Sequence, residues 1–286
     1  MDHGKYKCHA ERMTLKWTKF IKGDDVPLYQ PEFNIMITAN PQNNPNKLHR
    51  MVIPHPPLLK GKVKTVYEVA GEADKVLIEF HDKVTAGNGA REAEYPEKGA
   101  TCALISALLF EKLAQHGIKS HYIDLPSLNR MLCKKLTILP VEVICRNIAA
   151  GSVVKTTNIK EGTLFNPPLV EFFLKDDSKN DPLLTPDRVR LMGVDTKPLI
   201  EQTLEINHVF QSLFTLCGID LVDFKLEFGY DAHGDLYLAD EISPDSMRLW
   251  HKDSRERFDK DLFRKDEGDI VEAYKKILVQ LRHFCQ

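Results

Sequence analysis

Two periodicities divide the chain. From Lys60 to Phe80 apolar and polar residues alternate (GKVKTVYEVA, then GEADKVLIEF) around turn residues, which predicts a β-hairpin. Leu221 to Ile242 does the same, with LVDFKLEFG outward, YDAHGD as a bend-tolerant turn, and Leu236 to Ile242 returning. Helical spacing marks three other stretches. These are 100–116, with Ala103, Ile105, Leu108, Leu109 and Leu113 and a stop at Gly117; 198–216, stopped by Gly218; and 269–283, with Ile270, Tyr274, Ile277, Leu278 and Leu281. Short strands are predicted at 121–123, 134–138 and 141–146. Thr85 to Lys98, with Gly87 and Gly89, reads as a loop, as does Asn147 to Ser152. A polar, proline-rich connection is expected from there to Pro186. Residues 1–57 stand apart. They hold strand-like runs such as FNIMITA (33–39), then an asparagine- and proline-loaded stretch (40–57) expected to be an ordered, irregular connection lying on the main body. A packing or subunit-contact role is expected for this extension. There is no internal repeat.

The outgoing strand of the second hairpin is unusual on one face. Phe224, Leu226 and Phe228 point one way and can anchor it, whereas Asp223, Lys225 and Glu227 share the other face. If Gly229 pairs with Leu236, Lys225 faces Asp240 and Glu227 lies one diagonal step away; a one-residue slip presents Glu241 instead. Two carboxylates converging on a wet face suit a hard cation such as Mg²⁺, bound together with substrate phosphates. A solvated face with a cross-strand ion pair fits the same pattern.

Lys62 and Lys64 are expected on one strand face beside Gly61, an arrangement able to hold polyphosphate, although no Walker A loop is present. Solvated surface lysines fit equally. Arg146 ends an apolar strand before a small-residue loop closing with Gly151 and Ser152, a composition that suits an anion or an internal carboxylate partner.

Composition sets the class. The chain has 286 residues, 43% hydrophobic and 28% charged, enough for one large two-lobed domain or two small ones. The net charge of −2 gives no general attraction to nucleic acid or an anionic membrane, and no basic stripe is interleaved with aromatics. The six cysteines form no C-x-x-C pair and suit a reducing cytosol, with Cys102 and Cys145 expected in the core. No signal-peptide pattern or membrane-length apolar run is seen, so no membrane partner is expected and a cytoplasmic location is.

Five blocks in order, GKVKTVYEV (61–69), LPVEVICRNIAAGSVVKT (139–156), VDFKLEFG (222–229), ADEISPDSMRLW (239–250) and DKDLFRKDEGDIVEAY (259–274), resemble the SAICAR synthetase family of purine biosynthesis. The resemblance runs from about Leu58 to the C-terminus. It implies an α+β, two-lobed fold: an N-terminal extension over 1–57, a smaller antiparallel β-rich ATP-phosphate lobe over 58–139, and a larger α+β lobe over 140–286, with the ATP cleft between the lobes. It implies an ATP-dependent ligase joining the carboxylate of carboxyaminoimidazole ribonucleotide (CAIR) to the amine of L-aspartate, with Mg²⁺. Lys62 and Lys64 are then expected on the ATP phosphates, with adenine against Leu136 and Ile138. Glu227 and Asp240 are expected on Mg²⁺–ATP, and Asp223 and Lys225 beside the reacting carboxylate. Arg146, Ser152 and Arg248 are expected on the ribotide with Asp245 nearby, and Lys175 and Asp181 facing the cleft.

Two positions depart from the family pattern. His251 follows R-L-W where aspartate is common, and Thr156 follows Lys155 where arginine is common. The resemblance also allows a homo-oligomer. The alternatives are a ligase or kinase with another phosphorylated acceptor, and a nucleotide-binding regulator without catalysis. The intact Lys62, Lys64, Glu227 and Asp240 oppose the second alternative.

Overall fold

Alternating segments assemble into two main antiparallel sheets, one for each lobe of an α+β architecture, with a small two-stranded sheet beside them; the computed structural model describes residues 56–87 and 89–285. The strand-like run 33–39 and residues 40–55 of the irregular connection expected over 40–57 lie outside the described residues.

The first lobe starts with β1 (Leu59–Lys60), β2 (Lys64–Val69) and β3 (Glu72–Phe80). The predicted hairpin is β2–β3, with Val66 opposite Ile78 and the turn at Gly71, whose φ is 78°. Next come β4 (Lys83–Ala86) and β5 (Arg91–Glu94), paired with each other. This corrects the loop expected over 85–98: the buried Val84 pins the pair, while a polar β5 conceals it from a hydrophobic pattern. After α1 (Lys98–Gln115), β6 (Tyr122–Ser127) and β7 (Arg130–Lys134) complete the sheet order β1-β2-β3-β7-β6.

The second lobe comprises β8 (Thr137–Ile148), α2 (Ser152–Thr156), β9 (Leu164–Leu174), β10 (Leu183–Leu184), α3 (Pro186–Leu191), α4 (Thr196–Leu216), β11 (Ile219–Tyr230), β12 (Leu236–Ala239), β13 (Met247–His251), α5 (Asp261–Lys265) and α6 (Ile270–Phe284). Its sheet runs β10-β9-β8-β11-β12, with β13 also on β11. Three expectations are corrected. The run 134–138 is split between the end of β7 and the start of β8. Asn147 and Ile148 still belong to β8. The supposed connection to Pro186 contains β9, whose start is masked by Pro167 and Pro168. Those prolines fall at a shift in the β8–β9 register, where ladder donors are not required.

Side chains alternate as expected on β11. Phe224, Leu226 and Phe228 are buried, and the Phe224 ring meets Phe210 of α4 edge-on at 5.8 Å. α6 starts with Asp269 accepting the N–H groups of Val271 and Glu272, and packs against α1. The two sheets touch where residues 119–121 run beside β12: the His121 N–H reaches the Leu238 carbonyl at 2.8 Å, and the Leu238 N–H reaches that of Lys119 at 3.1 Å. Cys102, Cys133 and Cys145 are buried thiols, and no helix among the described residues is long and apolar enough to cross a membrane.

The start of α1 is held from outside the helix. Glu97, at φ 69°, supplies no side-chain cap, and the Asp82 carboxylate accepts the N–H of Gly99 at 2.9 Å and of Glu97 at 3.2 Å instead. A Cβ on Gly99 would stand 2.7 Å from the Phe80 carbonyl oxygen, so glycine permits this close approach. Asp82→Ala is therefore expected to cost about 1 kcal/mol, read from urea unfolding, with Asp82→Asn retaining most of it. An unchanged midpoint in the alanine variant would remove the capping role.

Candidate active site

The polar face of β11 is built as its alternation predicts, but its partners on β12 are shifted. Gly229 pairs with Tyr237 and Glu227 with Ala239, one residue from the expected register. The cause lies in the turn, where the Asp231 carboxylate accepts the N–H groups of His233 at 2.9 Å and Asp235 at 3.0 Å and sets Tyr230 opposite Leu236. β12 ends at Ala239, and Asp240 turns off the strand at φ 61°, a conformation aspartate tolerates better than most residues. Its carbonyl accepts a bond from Nε2 of the buried His121 at 2.9 Å. Burial lowers the His121 pKa to about 4, so the ring stays neutral.

At one end of β11 sits an arginine pair. Asp223, buried, accepts from Arg146 on β8 at 2.8 Å and from Arg248 on β13 at 2.8 Å. Arg146 also donates to Glu171 at 2.6 Å and to the Ser152 hydroxyl at 2.7 Å; Arg248 also donates to Asp261 at 3.0 Å. Asp223 thus lies between two guanidinium groups and aligns them. Gly151 is fitted to them: its φ is 64°, and a Cβ there would lie 2.4 Å from an Arg248 nitrogen.

The middle of the strand carries lysines interleaved with carboxylates. Lys225 bonds Glu142 at 2.6 Å and Glu227 at 3.1 Å; Lys64 bonds Asp240 and lies 2.9 Å from Glu241; Lys175 bonds Glu227. Burial alone would lower the Lys64 pKa, but Asp240 and Glu241 outweigh it and hold it above the usual lysine value. Lys225 is held up in the same way, against its own burial, by Glu227 and Glu142. Burial would raise the Asp240 carboxyl, yet Lys64 and then Lys225 keep it well below the ordinary carboxylate range.

At the far end, Gly229 lies under Leu136 and Ile138. A Cβ there would meet the Thr137 carbonyl at 2.9 Å and the Leu136 Cβ at 3.0 Å. Ile138 is 41% exposed, so it forms an open apolar lip and is not core.

Other expected residues are placed differently. Lys62 does not share a strand face with Lys64; it lies in the bend before β2 and reaches Asp177 at 2.7 Å. Asp181 turns its carboxylate into its own loop, accepting the Asp176 N–H at 2.9 Å. Asp245 is a buried support: its side chain is 4% exposed, paired with the equally buried Lys98, and accepts the Tyr274 hydroxyl at 2.8 Å. Burial would raise the Asp245 pKa, but Lys98 and Lys260 bring it to about 2.

The residues missed from sequence are Glu142, Glu171, Lys98, His121 and Asp261, whereas Glu241 is the residue that the one-residue slip presents. Strand pairing, such as Glu227 opposite Glu142, reveals some of them, and only the packing of helices reveals Lys98 and Asp261. Of the two departures, His251 supplies an acceptor as aspartate would, its Nδ1 taking the N–H of Asp253 at 3.3 Å and of Ser254 at 3.2 Å. Thr156 bonds back to the Ser152 carbonyl at 2.9 Å. A cavity of about 660 Å³ also adjoins the Gly61–Lys62 bend, but it is lined by Thr65, Tyr67 and His81, on the face of β2 turned away from Lys64.

Lys98 and Asp245 fasten α1 to the turn that follows Asp240. Lys98→Met leaves Asp245 charged and unpaired in the interior and is expected to cost about 3–5 kcal/mol in urea unfolding, with Asp245→Asn in the same chain recovering part of the loss. A single-variant loss below about 1 kcal/mol would contradict the buried pairing.

A family model described as SAICAR synthetase matches residues 57–281. The phosphoribosylaminoimidazole-succinocarboxamide synthase of Methanocaldococcus jannaschii is 46% identical over 229 residues, covering 79% of this chain and 94% of that protein. The enzyme of the same name from Bacillus mycoides is 45% identical over 228 residues, covering 78% and 95%. A solved SAICAR synthetase (Type-2) in complex with ADP superimposes with a TM-score of 0.76 at 39% identity, covering 78% of this chain and 96% of that one. The blocks read from the sequence, the two-lobed fold and these matches over nearly the whole of each relative agree: the chain belongs to the SAICAR synthetase family.

Proposed function

We propose that this protein, an ATP-dependent ligase of purine biosynthesis, joins the carboxylate of CAIR to the amine of L-aspartate and yields SAICAR, ADP and phosphate. The observation that carries this reading is the order of groups along one face of β11. Paired guanidinium groups stand at Asp223, lysines and carboxylates around Lys225 and Glu227, and an apolar lip at Gly229. Six residues of strand span about 20 Å, long enough to set a ribotide and a nucleoside triphosphate end to end.

On this reading Arg146, Ser152 and Arg248 bind the anionic ribotide, with Asp223 fixing the angle between the guanidinium groups. Leu136 and Ile138 cover the adenine. Lys62 and Lys64 meet the ATP phosphates; a solved relative described in complex with ADP supports nucleotide as a co-substrate. Glu227 and Asp240 form an all-oxygen donor pair, which fits Mg²⁺ shared with phosphate oxygens. When bound, Mg²⁺ would neutralise charge on the phosphoryl group in transfer.

A carboxylate is a poor electrophile, and its phosphorylation to an acyl phosphate gives the aspartate amine a leaving group to displace. The chain's own part is alignment and charge balance: Lys64 stabilises the phosphoryl oxygens, and Lys225 lies beside the reacting carboxylate. Asp245, Lys98 and Asp181 shape the surrounding turns. Residues 58–139 and 140–286 act as the phosphate lobe and the ribotide lobe. The free cysteines suit a reducing cytoplasm.

Turnover decides the reading: ADP release is measured with Mg²⁺–ATP, CAIR and L-aspartate, each omitted in turn. ADP formed in step with SAICAR, and only with all components, is expected. ATP binding without ADP release would instead mark a regulatory nucleotide binder. Glu227→Gln and Asp240→Asn are each expected to lower kcat/KM for ATP about 100-fold, with little change in ribotide affinity. Arg248→Ala is expected to act mainly on the ribotide. Gly151→Ala, by displacing the Arg248 guanidinium, is expected to raise the KM for CAIR about 10-fold or more at nearly constant ATP affinity. Equal effects on both substrates would count against the division of the face.

A further inference from the structure

Both carboxylates assigned to the metal already hold ammonium groups. Glu227, whose side chain is 5% exposed, has Lys175 on one oxygen and Lys225 at 3.1 Å on the other. Asp240 has Lys64. With Glu142 and Glu241 included, four carboxylates face three lysines, a nearly neutral cluster in which the lysines fill the places of a cation. A bare divalent ion entering this cluster leaves it positive and must break charge-assisted bonds without returning any. A metal–nucleotide complex brings its own anions, so each displaced ammonium finds a phosphate oxygen as the carboxylates take the metal.

The three lysines differ in freedom. Lys64 and Lys225 start from strands, each between two carboxylates, with side chains 16% and 31% exposed. Lys175 follows β9, is 44% exposed and bonds Glu227 from a loop braced by the Asp181 carboxylate. It is the cation that can leave Glu227 with the smallest rearrangement.

Resting on the site reading above, we propose that Lys175 is a specificity-determining residue: it occupies Glu227 until nucleotide arrives, so that the site accepts a metal–nucleoside phosphate complex and rejects the free divalent cation. The test uses the full chain and Mn²⁺, with free Mn²⁺ followed by electron paramagnetic resonance, with and without ADP. Wild type is expected to bind stoichiometric Mn²⁺ only with ADP. Lys175→Met is expected to bind Mn²⁺ alone at least 10-fold more tightly than wild type, and Lys175→Arg, which keeps the charge, to exclude it. Equal Mn²⁺ affinity in wild type and Lys175→Met without ADP, whether both bind or neither does, overturns the proposal. Mn²⁺–ADP binding that survives both Glu227→Gln and Asp240→Asn overturns the site reading and the proposal with it, an outcome distinct from a failure at Lys175 alone.

Discussion

The Asp223 carboxylate, closed off from water between Arg146 and Arg248, is the constraint on which this end of β11 depends. One anion can hold two guanidinium groups side by side only if both are brought to it by neighbouring strands. β8 and β13 flank β11 and do this. Arg146 is also held by Glu171 and Ser152, and Arg248 by Asp261, so each guanidinium is fixed from more than one side. The proposed anion-binding pair thus rests on strands, a placement more exact than a loop would give.

The same principle, opposite charges set by register on one sheet face, extends along β11. Lys225 separates Glu142 from Glu227, two carboxylates that the pairing puts directly opposite each other. Without it the two would repel across the strands. The apolar side of the sheet makes this possible: Phe224, Leu226 and Phe228 fix the strand by packing, leaving the other side to carry paired charges.

The three long helices, the β2–β3 hairpin and both faces of β11 were legible because their periodicity is strong and local; the short helices α2, α3 and α5 were not. β9 was not, because Pro167 and Pro168 are strand breakers whose cost vanishes where no ladder bond is needed. β4 and β5 rest on one buried valine within a polar stretch. The β11–β12 register escaped for a different reason: it is set by bonds from the Asp231 carboxylate to turn N–H groups, which alternation does not encode. The type of site residue was readable from the five blocks, but its orientation was not. Asp245 looks from sequence like part of a binding turn, and only the buried Lys98, distant in sequence, turns it inward. Asp181 and Lys62 show the same limit.

The backbone bonds between residues 119–121 and β12 have a mechanical consequence. β12 is laced to β11 on one side and to the first lobe on the other, and His121 grips the Asp240 carbonyl at this seam. The seam is not the only tie: α6 packs against α1, and Lys98 of α1 holds Asp245 in the turn after Asp240. Glu227, opposite Ala239, and Asp240 therefore sit beside a firmly joined part of the fold, where any shift of one lobe against the other would change their spacing little.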